Sequence, residues 1–148
     1  MSRALFFVAM AAWSCATSTR HDQDLLGEVR GYVEGIRWRR YEDSAVRIPP
    51  KEREPFLDER ELVDEDLRID DYEIARVKLG RGGRSAVVQV KYTWHLDSAG
   101  VVHESTVEQS WKREELGWFL MTEHLKRGEP MPGVEEKDGD EAGEGKGE

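Results

Sequence analysis

The first periodic pattern in the chain is helical and begins at Asp24. Apolar residues recur from there to residue 36 at intervals of three and four positions, which places them on one face of an amphipathic helix. These residues are Leu25, Val29, Tyr32, Val33 and Ile36. Because a carboxylate can accept hydrogen bonds from the free backbone N–H groups of a first helical turn, we expect Asp22 or Asp24 to cap this helix.

Two shorter helices are predicted to follow. The helical phase changes at 37–40, where the sequence reads Arg-Trp-Arg-Arg, so we expect a break there. The next helix covers 41–48 and ends at a Pro-Pro pair, because the residue before a proline disfavours helical geometry. A third helix is expected over 51–63. Its predicted inward residues are Phe56, Leu57 and Leu62.

The second half of the chain has the period of β-strands. Four runs rich in Val, Tyr, Trp and Thr are separated by short Gly-containing breaks, which predicts a series of hairpins. The predicted strands are 67–79, 84–97, 101–113 and 118–124. Alternation in the second run leaves one face apolar and one polar, as an antiparallel sheet with one solvated face allows. Straight strands of about 13 residues would each span about 40 Å, so we expect strong twist and bulges.

The register of the second hairpin follows from a four-residue turn at 97–100. This turn sets Val90 opposite Val107 and Trp94 opposite His103, whereas a shift by one residue would turn the apolar row toward solvent. The inner face then carries six residues that we predict to line a pocket. They are Tyr92, Trp94, His103, Ser105, Gln109 and Trp111.

Composition and spacing exclude several kinds of site. In the predicted register His95 points away from His103, and no other grouping of His and carboxylate residues has the spacing of metal ligands, so we predict no metal site and no cofactor. A net charge of −9 argues against nucleic-acid binding, which requires clustered Lys and Arg. The single cysteine excludes an intramolecular disulfide.

The first hairpin allows two positions for Asp71. Simple turn arithmetic places Asp71 and Glu73 on the inner face, whereas a bulge near Asp70 and Asp71 would place Tyr72 and Ile74 there instead. Unpaired buried carboxylates are costly, and this favours the bulge. If Asp71 were inside, it would also line the pocket and could act as a general base with a raised pKa.

The last twenty residues, 129–148, are predicted to form a disordered acidic tail. They contain eight acidic and two basic side chains, five glycines and no aromatic residue. Such a segment buries too little apolar surface to compensate for the entropy lost on ordering.

The N-terminus has the pattern of a secretory signal. A short basic start is followed by nine apolar residues over 4–12, too few to span a bilayer, and then by Trp13-Ser14-Cys15-Ala16. The only cysteine directly after Ser14 resembles a bacterial lipoprotein signal that ends in a lipobox. This resemblance implies a signal peptide at 1–14 and lipidation of Cys15, with 15–21 as a polar tether. The alternatives are ordinary secretion, with cleavage at the small residues around Cys15, and an apolar N-terminus that is not a signal.

The resemblance also implies a location. In lipoproteins of this kind, a residue other than Asp after the lipidated cysteine directs the protein to the outer membrane, and Ala16 stands there. We therefore expect a bacterial envelope protein anchored to the outer membrane through its lipid and facing the periplasm, or alternatively a secreted protein.

The order of elements resembles a known fold. Helices followed by long hairpins, with Gln109-Ser110-Trp111 and Gly117-Trp118-Phe119 in the last one, are similar to the cystatin-like cone of the nuclear transport factor two-like superfamily. Ketosteroid isomerases and SnoaL-type cyclases share that fold. The resemblance covers about 22–128 and implies an α+β domain whose N-terminal helices pack in a strongly curved four-stranded antiparallel sheet. The superfamily contains both enzymes and non-catalytic binding modules, so the fold does not determine the function.

We therefore expect a non-catalytic binding or interaction module at a membrane surface. Its partner would be an envelope protein or a second copy of the chain. The second copy would dock on exposed apolar residues of the outer sheet face, namely Val87, Val102 and either Phe119 or Met121. The alternative is a small ketosteroid-isomerase-like enzyme or a carrier of a hydrophobic ligand that uses the concave face, with Tyr92 or His103 stabilising a developing oxyanion.

Overall fold

The structure is a computed structural model that describes residues 16–136, with side chains of the first helix described from Asp24 onward. The helices are α1 (Ala16–Arg37), α2 (Tyr41–Ala45) and α3 (Arg53–Val63), and the strands are β1 (Leu67–Leu79), β2 (Ser85–Leu96), β3 (Val102–Glu114), β4 (Gly117–Gly128) and β5 (Glu135–Glu136). They form one sheet in the order β1-β2-β3-β4-β5. The first four strands are antiparallel and β5 is parallel to β4. The predicted α+β class is confirmed, but the sheet is mixed and five-stranded.

Helix α1 is longer than its apolar pattern predicts. The five apolar residues of the predicted helix are all buried against the sheet, which confirms its inward face. The helix begins at Ala16, so most of the segment predicted as a polar tether, 15–21, is helical. Cys15 and the predicted signal peptide lie outside the described residues. Within 16–136 no helix has both the length and the apolar character needed to cross a membrane.

Helix α3 turns a different face inward from the one predicted. Phe56 and Leu57 are partly buried as expected, but Leu62 is 85% exposed and that prediction is wrong. Arg60 is buried instead, because positions 56, 60 and 63 fall on one side of a helix of 3.6 residues per turn. The guanidinium carbon of Arg60 lies 5.3 Å from the ring centroid of Phe56.

The predicted pairing in the sheet is confirmed. Val90 faces Val107 and Trp94 faces His103 between β2 and β3. In β1 the register shifts between Ile69 and Asp71, so the bulge alternative is correct. Tyr72 then faces β2 from the core side and Asp71 lies on the outer side.

Residues 129–136 pack on the domain, although the composition of 129–148 predicts a disordered tail. Met131 is buried and Val134 packs against the hydrophobic core. Ser105 Oγ donates a hydrogen bond of 2.6 Å to the Glu129 carbonyl oxygen. These contacts, together with the pairing of β5 with β4, hold residues 129–136, which we call the covering segment, against the domain. Residues 137–148 lie outside the described part of the chain.

Candidate functional site

Most of the predicted pocket residues lie in a packed interior. The side chains of Tyr92, Trp94, Ser105, Gln109 and Trp111 are all buried. His103 is partly exposed, and its ring stacks on Trp94 with 4.7 Å between ring centroids. The structure thus brings these six residues to the inner face of the sheet, but five of them are enclosed by other side chains.

Trp94 and Ser105, at one end of this row of inner-face residues, hold the covering segment in place through hydrogen bonds. Trp94 Nε1 donates a hydrogen bond of 2.8 Å to Ser105 Oγ, which in turn donates to the Glu129 carbonyl. The hydroxyl of Ser105 is thereby used both as acceptor and as donor. Its role is to hold the chain after β4 in place.

Asp71 lies away from the six inner residues. Its side chain is 76% exposed, and its carboxylate lies 3.6 Å from the guanidinium of Arg37. Arg37 also donates to the backbone carbonyl of Asp70, at the bulge. The bulge therefore removes Asp71 from the inner face, so the enzyme alternative loses the base that it required.

The other end of the row leads to a carboxylate. Trp111 Nε1 donates to Gln109 Oε1 at 3.0 Å, and Gln109 Nε2 donates to Glu123 Oε2 at 2.7 Å. The amide of Gln109 is fully buried, so this chain of bonds satisfies polar atoms that would otherwise be costly to bury. It also fixes the position of the Glu123 carboxylate.

Glu123 forms a buried ion pair with Arg60. Glu123 Oε1 accepts hydrogen bonds from Tyr32 Oη at 3.0 Å and from Arg60 Nη2 at 3.2 Å. Arg60 Nη2 also donates to Tyr32 Oη at 3.3 Å. The side chain of Arg60 is 3% exposed and that of Glu123 is 10% exposed. Both oxygens of the carboxylate are therefore occupied by donors.

The ionisation states follow from these surroundings. Burial, reinforced by the Glu123 carboxylate, raises the pKa of Tyr32 and of Tyr92 well above the usual value. Burial opposes the charged form of Arg60, but Tyr32 and Glu123 more than offset this effect and raise its pKa. At neutral pH both phenols are protonated and Arg60 is a cation.

A groove opens beside this cluster, between α3 and β4, with a volume of about 430 Å³. We call it the α3–β4 groove. Its lining combines apolar and charged side chains. The apolar lining residues are Tyr32, Ile48, Pro49, Pro55, Phe56, Leu120 and Met121. Its charged lining residues are Lys51, Glu52, Glu59, Arg60, Glu123 and Glu135.

Arg60 has unused donors at the edge of this groove. Its Nε and Nη1 atoms are buried and donate to no acceptor among the described residues. Gly133 of the covering segment lies directly over Nη1, where a Cβ atom would come within 2.7 Å, and its φ of +76° also favours glycine. Unsatisfied buried donors are rare in folded proteins, and among the described residues Arg60 has two such atoms whereas Trp118 has one.

Sequence reasoning missed Tyr32, Arg60 and Glu123 as a cluster. Glu123 reaches the inner face because the register between β3 and β4 shifts after Leu120 and leaves Met121 without a partner residue. The apolar phase in β4 does change there, from Trp118 and Leu120 to Leu125. That change was the available signal for a bulge.

A larger cavity of about 500 Å³ lies near the hairpin tips, lined by Arg84, Glu114 and Leu116 among others. Lys112 and Glu114 at this cavity already form an ion pair of 3.1 Å. No buried polar atom without a partner is found among its described lining residues, so it is a weaker candidate. In 16–136 no group of three or more His, Cys, Asp or Glu side chains is placed to hold a metal ion.

Comparison with protein-family models, with curated proteins and with solved structures gave no match. The interpretation of the α3–β4 groove therefore depends on its own residues.

Proposed function

We propose that the protein is a lipid-anchored envelope protein whose α+β domain is a non-catalytic interaction module. The α3–β4 groove is the surface through which it binds a partner. The observation that carries this proposal is the buried Arg60, which lines the groove and has two nitrogens without acceptors among the described residues. A ligand that supplied an acceptor there would satisfy a group that the folded chain leaves unpaired.

The chemistry of the groove favours binding over turnover. The Glu123 carboxylate accepts three hydrogen bonds and pairs with the buried Arg60 cation, so it serves as the structural counter-ion of the cluster. Asp71, the base that an isomerase-like mechanism would have used, is exposed on the outer side of the sheet. Neither carboxylate is placed for catalysis.

The anchor and the finer fold belong to the same proposal. Lipidation of Cys15 after a signal peptide at 1–14 is supported by the apolar run and the single cysteine. Ala16 after the cysteine supports attachment to the outer membrane, facing the periplasm. A cone like that of the nuclear transport factor two-like proteins is supported by the order of helices and hairpins and by the two bulges in β1.

The outer sheet face is a weaker docking surface for a partner or a second copy. Val87 and Val102 are exposed, but Val102 pairs with His95, so the two valines are about eight positions or ~26 Å apart along β2. An ion pair between Lys91 and Glu104 lies between them. Phe119 is buried and Met121 lines the α3–β4 groove, so neither extends this face.

Transport of a small hydrophobic ligand is the second candidate. The groove volume of about 430 Å³ lies within the range of small-molecule sites, about 300–1,000 Å³. Tyr32 and Phe56 pack on each other with 6.1 Å between ring centroids, and the partly exposed Phe56 could present aromatic surface to an apolar body.

Crosslinking in living bacteria tests the interaction module. A photo-crosslinking amino acid placed at Met121, which is 46% exposed and lines the groove, should form an adduct with one protein identified by mass spectrometry. The same amino acid at Val87, on the outer face, is the matched control and should form none. Equal adducts from both positions, or none from Met121, would contradict the proposal.

Metabolic labelling tests the anchor separately. The wild-type chain should incorporate labelled palmitate, and Cys15→Ser should abolish the signal. Labelling that persists in Cys15→Ser would show that the acyl chain is attached elsewhere.

A further inference from the structure

We infer that the α3–β4 groove binds an extended peptide in which a basic residue stands beside a bulky apolar one. This inference rests on the proposed function and adds the chemistry of the partner. Three features of the groove point to such a peptide: its apolar walls, the charge of its rim and the free donors of Arg60.

The walls select a bulky apolar side chain. Phe56 is half-buried and Met121 is exposed on opposite sides of the groove, on α3 and β4. Pro49 and Pro55 add rigid apolar surface close by. Aromatic, proline and methionine surfaces of this kind pack against large apolar groups, and methionine adapts to their shape.

The rim selects a positive charge. Lys51 and Glu52 form an ion pair with 3.6 Å between N and O, so together they are neutral. The other two exposed charged residues of the lining are Glu59 and Glu135, which leaves the rim with a net charge of −2. A Lys or Arg side chain next to the docked apolar residue would meet complementary charge, which also speeds association.

The free donors of Arg60 select a neutral acceptor. The charge of Arg60 is already balanced by Glu123, at 3.2 Å, and the rim is acidic, so an anionic ligand would be repelled as it entered. A peptide carbonyl accepts a hydrogen bond without bringing negative charge, and an extended peptide offers one at each residue.

Access to Nη1 requires the covering segment to shift at Gly133. The strand part of this segment, β5, pairs with β4 at only two positions, His124 with Glu135 and Leu125 with Glu136. Gly133 precedes this ladder, so the chain at Gly133 can move off Nη1 while β5 and Glu135 stay in place.

Selection from a random heptapeptide display library tests the inference. The target is the full chain in lipid nanodiscs, and the comparison target is Met121→Lys, which places a cation and extra length in the groove. Peptides that bind the wild-type chain but not Met121→Lys should be enriched in a Lys or Arg adjacent to Phe, Trp, Tyr, Leu or Met.

Charge variants then measure the contribution of the rim. Glu59→Gln and Glu135→Gln should each weaken a selected peptide by about 2- to 5-fold, as expected for exposed charge pairs. Glu65→Gln is the matched control, because Glu65 is exposed and lies outside the groove, and it should leave the affinity unchanged. All three sites are exposed, so the variants should fold.

Each other outcome overturns the inference. Groove-dependent peptides that are acidic or uncharged would refute the predicted chemistry while leaving the groove as a binding surface. No groove-dependent peptide at all would refute peptide binding. The crosslink from Met121 reports any protein partner, whatever its chemistry, so it distinguishes this failure from failure of the proposed function.

Discussion

Replacing Glu123 by glutamine should destabilise the protein strongly, although the two side chains have nearly the same shape. Glu123→Gln removes the negative charge that faces Arg60 across 3.2 Å, while Arg60 stays 3% exposed. Breaking a buried ion pair by removing one partner costs about 3–5 kcal/mol, because the remaining charge is desolvated without compensation. Arg60 has two further nitrogens without acceptors among the described residues, so it has no alternative partner nearby.

Two further variants separate the charge from the shape of the site. In Arg60→Met with Glu123→Gln, both charges are gone and an apolar side chain fills the space. Apolar replacement of buried ion pairs is often neutral or stabilising, so the double variant should lie within about 2 kcal/mol of the wild type. Glu108→Gln is the control for an exposed pair, since Glu108 meets Lys126 at 2.7 Å on the outer face and its loss should cost at most about 1 kcal/mol.

Urea unfolding of the full chain, followed by tryptophan fluorescence, measures these free energies. The chain has five tryptophans, of which Trp111 belongs to the cluster itself, so the signal reports this region. A loss below about 1 kcal/mol in Glu123→Gln would mean that the pair is solvated in solution. A double variant as unstable as the single one would show that hydrogen bonding, rather than charge, holds the cluster together.

Three other predictions concern single side chains. The hydrogen bond from Arg39 lowers the pKa of Asp64 to about 2. Asp64 should therefore stabilise the fold above pH 4 and lose that contribution as the pH falls toward 2. The free energy of unfolding should therefore fall between pH 5 and pH 2.5 in both proteins, but by about 1 kcal/mol less in Asp64→Asn than in the wild type, after allowance for solvent screening. The hydrogen bond to Asp70 raises the pKa of His95. The stabilisation by protonated His95 should therefore be present below pH 6 and decline as the pH rises through that pKa. The variant His95→Gln should lack this pH dependence. NMR titration of the imidazole checks the direction, and a pKa below 6.5 would contradict it. Trp118→Phe removes a buried Nε1 that has no acceptor in 16–136, so its cost in the same urea assay should be only that of the cavity left by the smaller ring, about 1–2 kcal/mol, and a loss above about 3 kcal/mol would reveal a bonded indole.

The β2–β3 pairing could be predicted from the sequence because its information is local. The alternation in β2, interrupted only at Val87, precedes a turn of defined length, and only one register puts Val90 against Val107. The bulge in β1 was predictable for a similar reason, since the alternative would bury Asp71 and Glu73 without partners.

The Arg60–Glu123 cluster could not be predicted in the same way. Each residue looks like a solvated charge in its own segment, and only their pairing across 63 positions of sequence makes burial of either one tolerable. The bulge at Met121 that turns Glu123 inward depends on how β4 meets β3 and on the chain that follows. The ordering of Met131 likewise depends on a surface that exists only after the sheet and α3 have packed.

Stability alone does not explain Arg60. A buried ion pair contributes little to folding compared with apolar side chains of equal volume, and here two of the cation's nitrogens are also left without acceptors among the described residues. A side chain that is costly to bury and only partly satisfied is better explained by a ligand that completes its hydrogen bonds. The double variant, Arg60→Met with Glu123→Gln, separates these roles: it should fold about as well as the wild type and fail to bind the peptides that the wild-type groove selects. If it binds them with unchanged affinity, the apolar walls and the acidic rim are sufficient, and Arg60 has no part in recognition.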